Sequence, residues 1–549
     1  MTIRPRPVHR SSVLLVFSLA VLSFSCAVHG SDPPVSLPQA VAPSVGPSPT
    51  AEADPRSPGA VPDPEQPLRL TLHDAILMSL ENNRSLAVER LTPSIQETFT
   101  AEERAVFDPV LEGEASYLET ESQRLARSGS DTESLESKVT DGRLSLVQFF
   151  PTGTFVEAEA ATTSTDSSLY QDPFTSTRLG LVVTQSLLRG LGTDVNLARL
   201  RQARLETRIS LYELRGFTES LMARVENAYW DYALAIRQIE IVEESLRVAN
   251  QQLDETREMI EVGTMAEAEL AAVQAEVAAQ QQALINARSS RETARLELLR
   301  LLNPPVEDLW QRQVVLVHPP ELPDVQLGDV STHVAAAERM RPEINQTKLN
   351  IRQGDLEIVR TRNGLLPKMD LFVQLGKTGY ADSFSRSVDD ISNDNYDVQA
   401  GVAFEFPPLN RSARAEHRRS LLSRDQSERA LDNLSQLVEL DVRTAFIEVD
   451  RSREQIDASS ATRRYQEETL RIETEKFRVG RSTNFFVAQA QRDLLVARIN
   501  EVEAVVSYLK ALTDFYRLEG SLLERRGIDA PGAEPVSESE HPVRRYNGS

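Results

Sequence analysis

From Asn196 to Arg257 the chain carries apolar residues at steps of three and four: Leu214, Phe217, Leu221, Val225, Ala228, Tyr232, Ala235, Ile239, Val242, Leu246, Ala249 and Leu253. Apart from one extra step of four at Leu221, this is a 3.5-residue repeat held for more than five heptads. Such a period makes helices supercoil left-handedly against partners. At ~1.5 Å per residue, a helix of roughly 60 residues is about 90 Å long, which no ordinary globular domain accommodates. The turn Glu261-Val262-Gly263-Thr264 leads into a second helical run, Ala266 to Leu302. Leu270, Val273, Val277, Leu284, Ala287, Ala294, Leu298 and Leu301 lie on one side of it. The element is a long antiparallel helical hairpin with its tip at Val262-Gly263.

A formal net charge of −22 argues against a nucleic-acid binder, which would present a basic face. The single cysteine, Cys26, allows no intramolecular disulfide. Residues 1–30 have the order of an export signal: Arg4, Arg6 and Arg10, then the apolar run Val13 to Phe24, then small residues. Cleavage after Ala27 or Gly30 and lipidation of Cys26 are the alternatives there. The apolar run falls short of the ~20 residues of a helical membrane span, and none of that length occurs elsewhere in the chain. A membrane-spanning part must therefore be a β-barrel.

Residues 31–67 are rich in Pro, Ala and Ser and read as a disordered linker. Helical spacing begins with Leu72, Ala75, Ile76 and Leu80, and a second helix runs from Leu86 to Val106 with a break at Pro93. The period then switches to two. Val110 to Leu118 alternates, a polar loop reaches about Asp141, and Leu144 to Phe150 and Phe155 to Ala161 flank the turn Pro151-Thr152-Gly153-Thr154. After another polar loop, Leu179, Leu181 and Val183 alternate towards Gln185 and the long helix.

The second half repeats this order. Helices are expected at Val330 to Arg339 and Glu343 to Arg362, then strands carrying Met369 to Leu375 and Val398 to Phe406 with a polar loop between. A long helix from Ala413 to Phe477, a turn at Val479-Gly480-Arg481 and a last helix from Asn484 to Leu518 follow; beyond Arg526 a polar, disordered tail (526–549) is expected. Leu86 and Ile344, like Pro109 and Pro367, stand 258 positions apart, whereas Val225 and Val442, Gly263 and Gly480, and Gln274 and Gln491 stand 217 apart. The two copies, 68–306 and 325–523, thus differ by about forty residues inserted among the first copy's strands, a surplus that includes the Pro151 to Gly153 turn. A duplicated unit too elongated to bury its own face implies lateral packing.

Alternating strands without long apolar runs suit a barrel with one face to lipid and one to water. Four or six strands per chain cannot close a wide barrel alone, so an oligomer must. Residues alone lead to an exported oligomeric channel with the helical tips as its natural constriction.

The entry segment Leu70-Thr71-Leu72-His73-Asp74-Ala75-Ile76, the run Gln185-Ser186-Leu187-Leu188-Arg189-Gly190, the duplicated unit and the paired Val-Gly tips resemble the TolC-type outer-membrane efflux protein family. The likeness covers roughly Leu68 to Leu523. It implies a mainly α fold with a β-barrel part, in which a homotrimer shares one outer-membrane barrel continued by a periplasmic α-helical tunnel. It also implies an exit duct for efflux or type I secretion, partnered by a periplasmic adaptor protein, an inner-membrane pump of the RND, ABC or MFS class and outer-membrane lipid. By the same resemblance Val262, Gly263, Thr264, Val479, Gly480 and Arg481 are adaptor-contact residues, although Gly263 and Gly480 also serve as plain helix-ending glycines. Glu269, Phe477 and Phe486 are candidates for the tunnel-mouth gate. Threefold repetition would make Glu269 an anionic ring favouring cations. The alternatives are a solvated helix-face glutamate for Glu269 and ordinary seam residues for the two phenylalanines.

Enzyme chemistry finds no support. His9, His29, His73, His318, His333, His417 and His541 show no metal-ligand spacing, no Gly-rich phosphate loop occurs, and neither cofactor, metal nor nucleic-acid partner is expected. The rival class is a non-channel coiled-coil structural protein of the envelope, against which the matching strand pairs in both halves count.

Overall fold

The structure, a computed structural model, describes residues 67–125, 129, 132–168, 170–305, 308–317, 319–320, 322–323 and 325–537, all within the unit Asp63–Ser549. The export signal, Cys26, all but the last residue of the Pro-rich linker, and residues 538–549 lie outside the described residues.

The chain begins with β1 (Leu68–Leu70) and three helices, α1 (Leu72–Asn82), α2 (Arg84–Glu89) and α3 (Thr92–Ala105). The entry segment is a helix start with a mechanism. The Thr71 hydroxyl accepts from the Asp74 amide at 3.1 Å while the Asp74 carboxylate accepts from the Thr71 amide at 3.2 Å, a reciprocal capping box. Leu70, Ala75 and Ile76 are buried beneath it.

Four strands follow, β2 (Val110–Leu125), β3 (Thr132–Phe149), β4 (Thr154–Ser167) and β5 (Phe174–Ser186), then the short α4 (Thr193–Asn196), α5 (Ala198–Glu261) and α6 (Ala268–Leu302). The second copy comprises β6 (Val314–Leu316), α7 (Val330–Met340), α8 (Pro342–Gly364), β7 (Lys368–Ala381), α9 (Phe384–Asp390), β8 (Tyr396–Glu405), α10 (Arg411–Arg478), α11 (Asn484–Glu519) and α12 (Leu522–Arg525). β1 and β6 pair in parallel, and the six remaining strands form one sheet in the order β2-β3-β4-β5-β7-β8, every pair antiparallel.

The surplus of the first copy is now visible as the strand pair β3–β4, inserted between the counterparts of β7 and β8. Two expectations are corrected. The polar stretches after Leu118 and Ala161 are largely strand, since β2–β3 pairing runs out to Leu125 and Thr132 and β4 reaches Ser167. Ladder hydrogen bonds sustain an extended chain whose two faces are both polar, and such a strand carries no apolar alternation to reveal it. Residues beyond Arg526 are not free either. The Tyr212 hydroxyl donates to the Glu534 carbonyl, the Val536 amide donates to Asn345 Oδ1 at 2.9 Å, Arg352 donates to the Ser537 carbonyl, and buried Val536 packs with Ile209, Tyr212 and Leu349.

Each long helix is flanked by two shorter ones. α3 and α6 pack on α5, α8 and α11 pack on α10, and α8 and α11 also contact α5. The heptad residues of α5 are its buried stripe: all are buried or packed against a core cluster. The largest apolar cluster joins the middle of α5 (Leu221, Met222, Tyr229) to the end of α6 (Leu298, Leu302), α10 (Val438, Val442), α11 (Leu512, Phe515) and α1.

Candidate functional site

The six-stranded sheet sorts its side chains by face. Leu111, Leu146, Ala158, Leu181, Leu375 and Val398 align in one row across it, with Val156, Val183, Val373 and Ala400 in the next and Met369 opposite Phe404 further on. Leu111, Leu146, Leu181, Leu375, Val398 and Phe404 are exposed in the single chain. The alternate positions, which point to the other face, carry Glu112, Glu114, Arg143, Glu157, Glu159, Arg178, Gln374, Asp397 and Gln399. On that face Arg178 forks onto Asp397 at 2.5 and 2.8 Å, and Arg143 lies 3.4 Å from Glu159. A Cβ at Gly376 would lie 2.3 Å from Arg178 Nη2, so the glycine makes room for this pair. An exposed apolar face backed by a charged one is what a strand between lipid and water requires.

The Gln185 to Gly190 run joins the sheet to the helices. Ser186 donates to Asp370 Oδ1 at 3.1 Å, the Leu187 amide to the Met369 carbonyl at 2.7 Å, and the Gly190 amide to Asn363 Oδ1 at 2.8 Å. Gly153 has φ 86°, and a Cβ on it would stand 2.2 Å from the Gly190 carbonyl oxygen. Gly153 is needed because backbone meets backbone here, and Gly190 because its φ of 88° lies in the left-handed region.

At the far ends of the hairpins, α5 and α10 stop identically. The Gly263 amide bonds the Ile260 carbonyl and the Thr264 amide the Met259 carbonyl, both at 2.9 Å. The Gly480 amide bonds Phe477 at 2.9 Å and the Arg481 amide bonds Lys476 at 2.8 Å. With φ of 75° and 73° at the glycines, both are left-handed helix terminations of the Schellman type. Val262 (74% exposed) and Val479 (69%) project into solvent, Arg481 is exposed, and the Thr264 hydroxyl is tied to the Met259 carbonyl at 2.9 Å. Glu269 sits half-buried in the first turn of α6, where a carboxylate suits the helix dipole. Phe477 is half-buried in the last turn of α10, whereas Phe486 is exposed with its ring edge-on to Phe485 at 5.6 Å.

Sequence periodicity did not reveal what ties one hairpin to the other. Buried Asn484, at the start of α11, accepts from Gln252 of α5 at 3.2 Å and donates to Met265 Sδ at 3.6 Å. Buried Glu276 of α6 accepts from Arg492 of α11 at 2.8 Å and from Gln280 at 2.7 Å. In the central core, fully buried Glu226 accepts two bonds from Arg526, at 2.8 and 2.6 Å, and one from Thr513 at 2.9 Å. His333 Nδ1 lies 2.6 Å from Glu519, whose carboxyl burial alone would raise; hydrogen bonds from Ser521 and His333 and the nearby Arg525 hold it below its usual range. Arg215 Nε lies 3.2 Å from Glu219, near enough for an ion pair but misaligned for a hydrogen bond. Apart from this i,i+4 pair within α5, the polar contacts between elements join residues distant in the chain and have no local signature in a sequence.

A family model described as outer membrane efflux protein matches residues 147–304 and 334–521, one stretch in each copy. No protein of curated function matches the chain by sequence. Among solved structures, the outer-membrane channel OprN superposes with a TM-score of 0.62 at 18% identity, over 82% of this chain and 90% of that one. The Campylobacter jejuni outer-membrane channel CmeC gives 0.61 at 16%, over 82% and 86%, and the open-state Neisseria gonorrhoeae channel MtrE gives 0.58 at 18%, over 82% and 89%. The fold is therefore that of these channels, mainly helical with a strand part and built from a duplicated unit. Since the family match spans both copies and more than half of the residues, the chain belongs to the outer membrane efflux protein family.

Proposed function

We propose that three copies of this chain close one barrel in the outer membrane and form the exit duct of a tripartite efflux or type I secretion assembly. The observation that carries this is the two-faced sheet with unpaired edges. Among the described residues β2 and β8 each lack a neighbour on one side, and a long bare edge is a template for another strand. Six antiparallel strands place β8 of one copy antiparallel to β2 of the next, so three copies give eighteen strands, a width that leaves an aqueous lumen. The Arg178–Asp397 and Arg143–Glu159 pairs then line water and the leucine rows meet lipid. The export signal expected at residues 1–30 fits this destination.

The helices continue the duct into the periplasm. Val262, Gly263 and Thr264 with Val479, Gly480 and Arg481 form the adaptor contact, supported by the solvent exposure of both valines on identically terminated turns. Glu269, repeated threefold, makes an anionic ring near the mouth, and Phe477 and Phe486 flank the second tip. Transport through the duct is passive, and an inner-membrane pump of the RND, ABC or MFS class supplies the energy. The native mass of the detergent-purified protein tests the assembly: three copies are expected. A stable monomer would favour the envelope coiled-coil alternative.

A further inference from the structure

The excursion between β7 and β8 has no part in the duct just described, yet it is folded. α9 lies back along the strands and touches them at backbone distance: a Cβ on Gly379 would lie 2.0 Å from the Ser387 carbonyl oxygen and 2.6 Å from the Ile391 nitrogen. The Ser387 hydroxyl is 2.6 Å from that of Thr177, which is 3.2 Å from that of Thr162. Gly379, Thr177 and Thr162 form one row across the sheet, on the face that carries Leu375, Leu181 and Val398. α9 therefore covers the apolar face, at the end of the sheet remote from the long helices.

Its depth follows from the register. The apolar rows begin at Met369–Phe404 and end at the row of Leu144, Ala160, Leu179, Lys377 and Tyr396, where the exposed lysine marks the edge of the band. Four two-residue steps at ~3.4 Å per residue are about 27 Å along a strand, or about 20 Å across a membrane after a tilt of ~40°. The row beneath α9 is one step further out, at the boundary of the band. α9's polar groups are bound within the loop, with Arg386 on Asp382 at 2.7 Å and the Tyr380 amide on Asp390 at 2.9 Å. Phe384 (52% exposed) and Val388 (41%), four residues apart and so on one side of the helix, each leave about half of their apolar surface uncovered.

We infer that α9 is an interfacial helix: Phe384 and Val388 enter the acyl-chain boundary of the leaflet remote from the helical tunnel, while Asp382, Arg386 and Asp389 stay at headgroup level. Lipid is the occupant because the patch continues the apolar rows of the sheet, and exposed Tyr396, the side-chain type that gathers at membrane interfaces, stands in the row next to the one beneath α9. The helix, too short to persist alone in water, is pinned to β7 and β5 and sets the height at which the barrel sits. This inference rests on the lipid-facing assignment of the sheet.

The test compares Phe384→Trp with Val373→Trp, a residue of the middle row, in proteoliposomes of the full protein. Fluorescence is read as a difference from the parent chain, which carries Trp230 and Trp310. The lipids are brominated either near the glycerol end or near the methyl end of the acyl chains. Phe384→Trp is expected to be quenched at least twofold more by the shallow bromines, and Val373→Trp by the deep ones. An unquenched Phe384→Trp, or one quenched best by deep bromines, beside a quenched Val373→Trp overturns the interfacial helix. Absence of quenching at both positions overturns the lipid-facing sheet and this inference together.

Discussion

Arg526 stands just past the last helix and holds the carboxylate of Glu226, which has no solvent exposure. Replacing Arg526 by Met would strand that charge with only the Thr513 hydroxyl as donor. Breaking a buried pair from one side typically costs about 3–5 kcal/mol. The Arg526 side chain is 34% exposed, so water screens part of the attraction, and the lower end, about 3 kcal/mol, applies. Glu226→Met should cost less, because the released guanidinium can turn towards solvent. The double variant Glu226→Met/Arg526→Met should recover at least half of the Arg526→Met loss, since no buried charge is left unpaired. The assay is the thermal midpoint of the helical circular-dichroism signal in detergent, read as the order of the three variants. A double variant no more stable than Arg526→Met would refute the stranded-charge reasoning and make the arginine's packing its main contribution.

Burial pushes the Glu219 carboxyl up to about 7, an effect that Arg215 only partly offsets. The folded value lies above the ordinary 4.5, so the folded state holds the proton more tightly. This group's contribution should therefore be greatest below about pH 4.5 and fall, by about 3 kcal/mol in all, as pH rises to about 7. Glu219→Gln, which stays neutral throughout, should match the parent chain most closely below about pH 4.5 and gain in midpoint over it as pH rises through that window; a variant that loses ground to the parent with rising pH contradicts this. Gly153→Ala, driven against the Gly190 carbonyl, should abolish the assembled, heat-modifiable band on electrophoresis. Gly263→Ala has no atom within 4 Å of its Cβ and should cost only the ~1 kcal/mol of a left-handed alanine. Asn484→Leu removes two bonds between the hairpins, and amide exchange around Glu261 to Ala268 should accelerate by roughly tenfold, the equivalent of ~1.4 kcal/mol.

What was legible in the chain is what repeats or what a turn demands. The heptad spacing of α5 named its buried stripe residue by residue, the Val-Gly pairs marked both helix ends, and the offsets of 258 and 217 located the inserted strand pair. Strand stretches such as Glu119 to Gln123 were hidden because they alternate nothing: both faces are polar and the ladder alone holds them. The docking of Glu534 and Ser537 uses backbone carbonyls as acceptors, which any residue supplies. Asn484, Glu276 and Glu226 look like ordinary polar helix residues until partners more than 200 positions away are brought beside them. α9 escaped notice because its seven residues are too few for a helical period to emerge and its hold on the sheet depends on a glycine in another element.

The most direct test of a trimeric duct is single-channel conductance of the purified protein in planar bilayers, with Glu269→Gln measured beside it. Discrete, cation-preferring steps are expected from the parent protein, with a loss of cation preference in the variant. Failure to insert, or insertion without discrete steps, would contradict the channel itself, and equal cation preference in both proteins would remove Glu269 from the mouth.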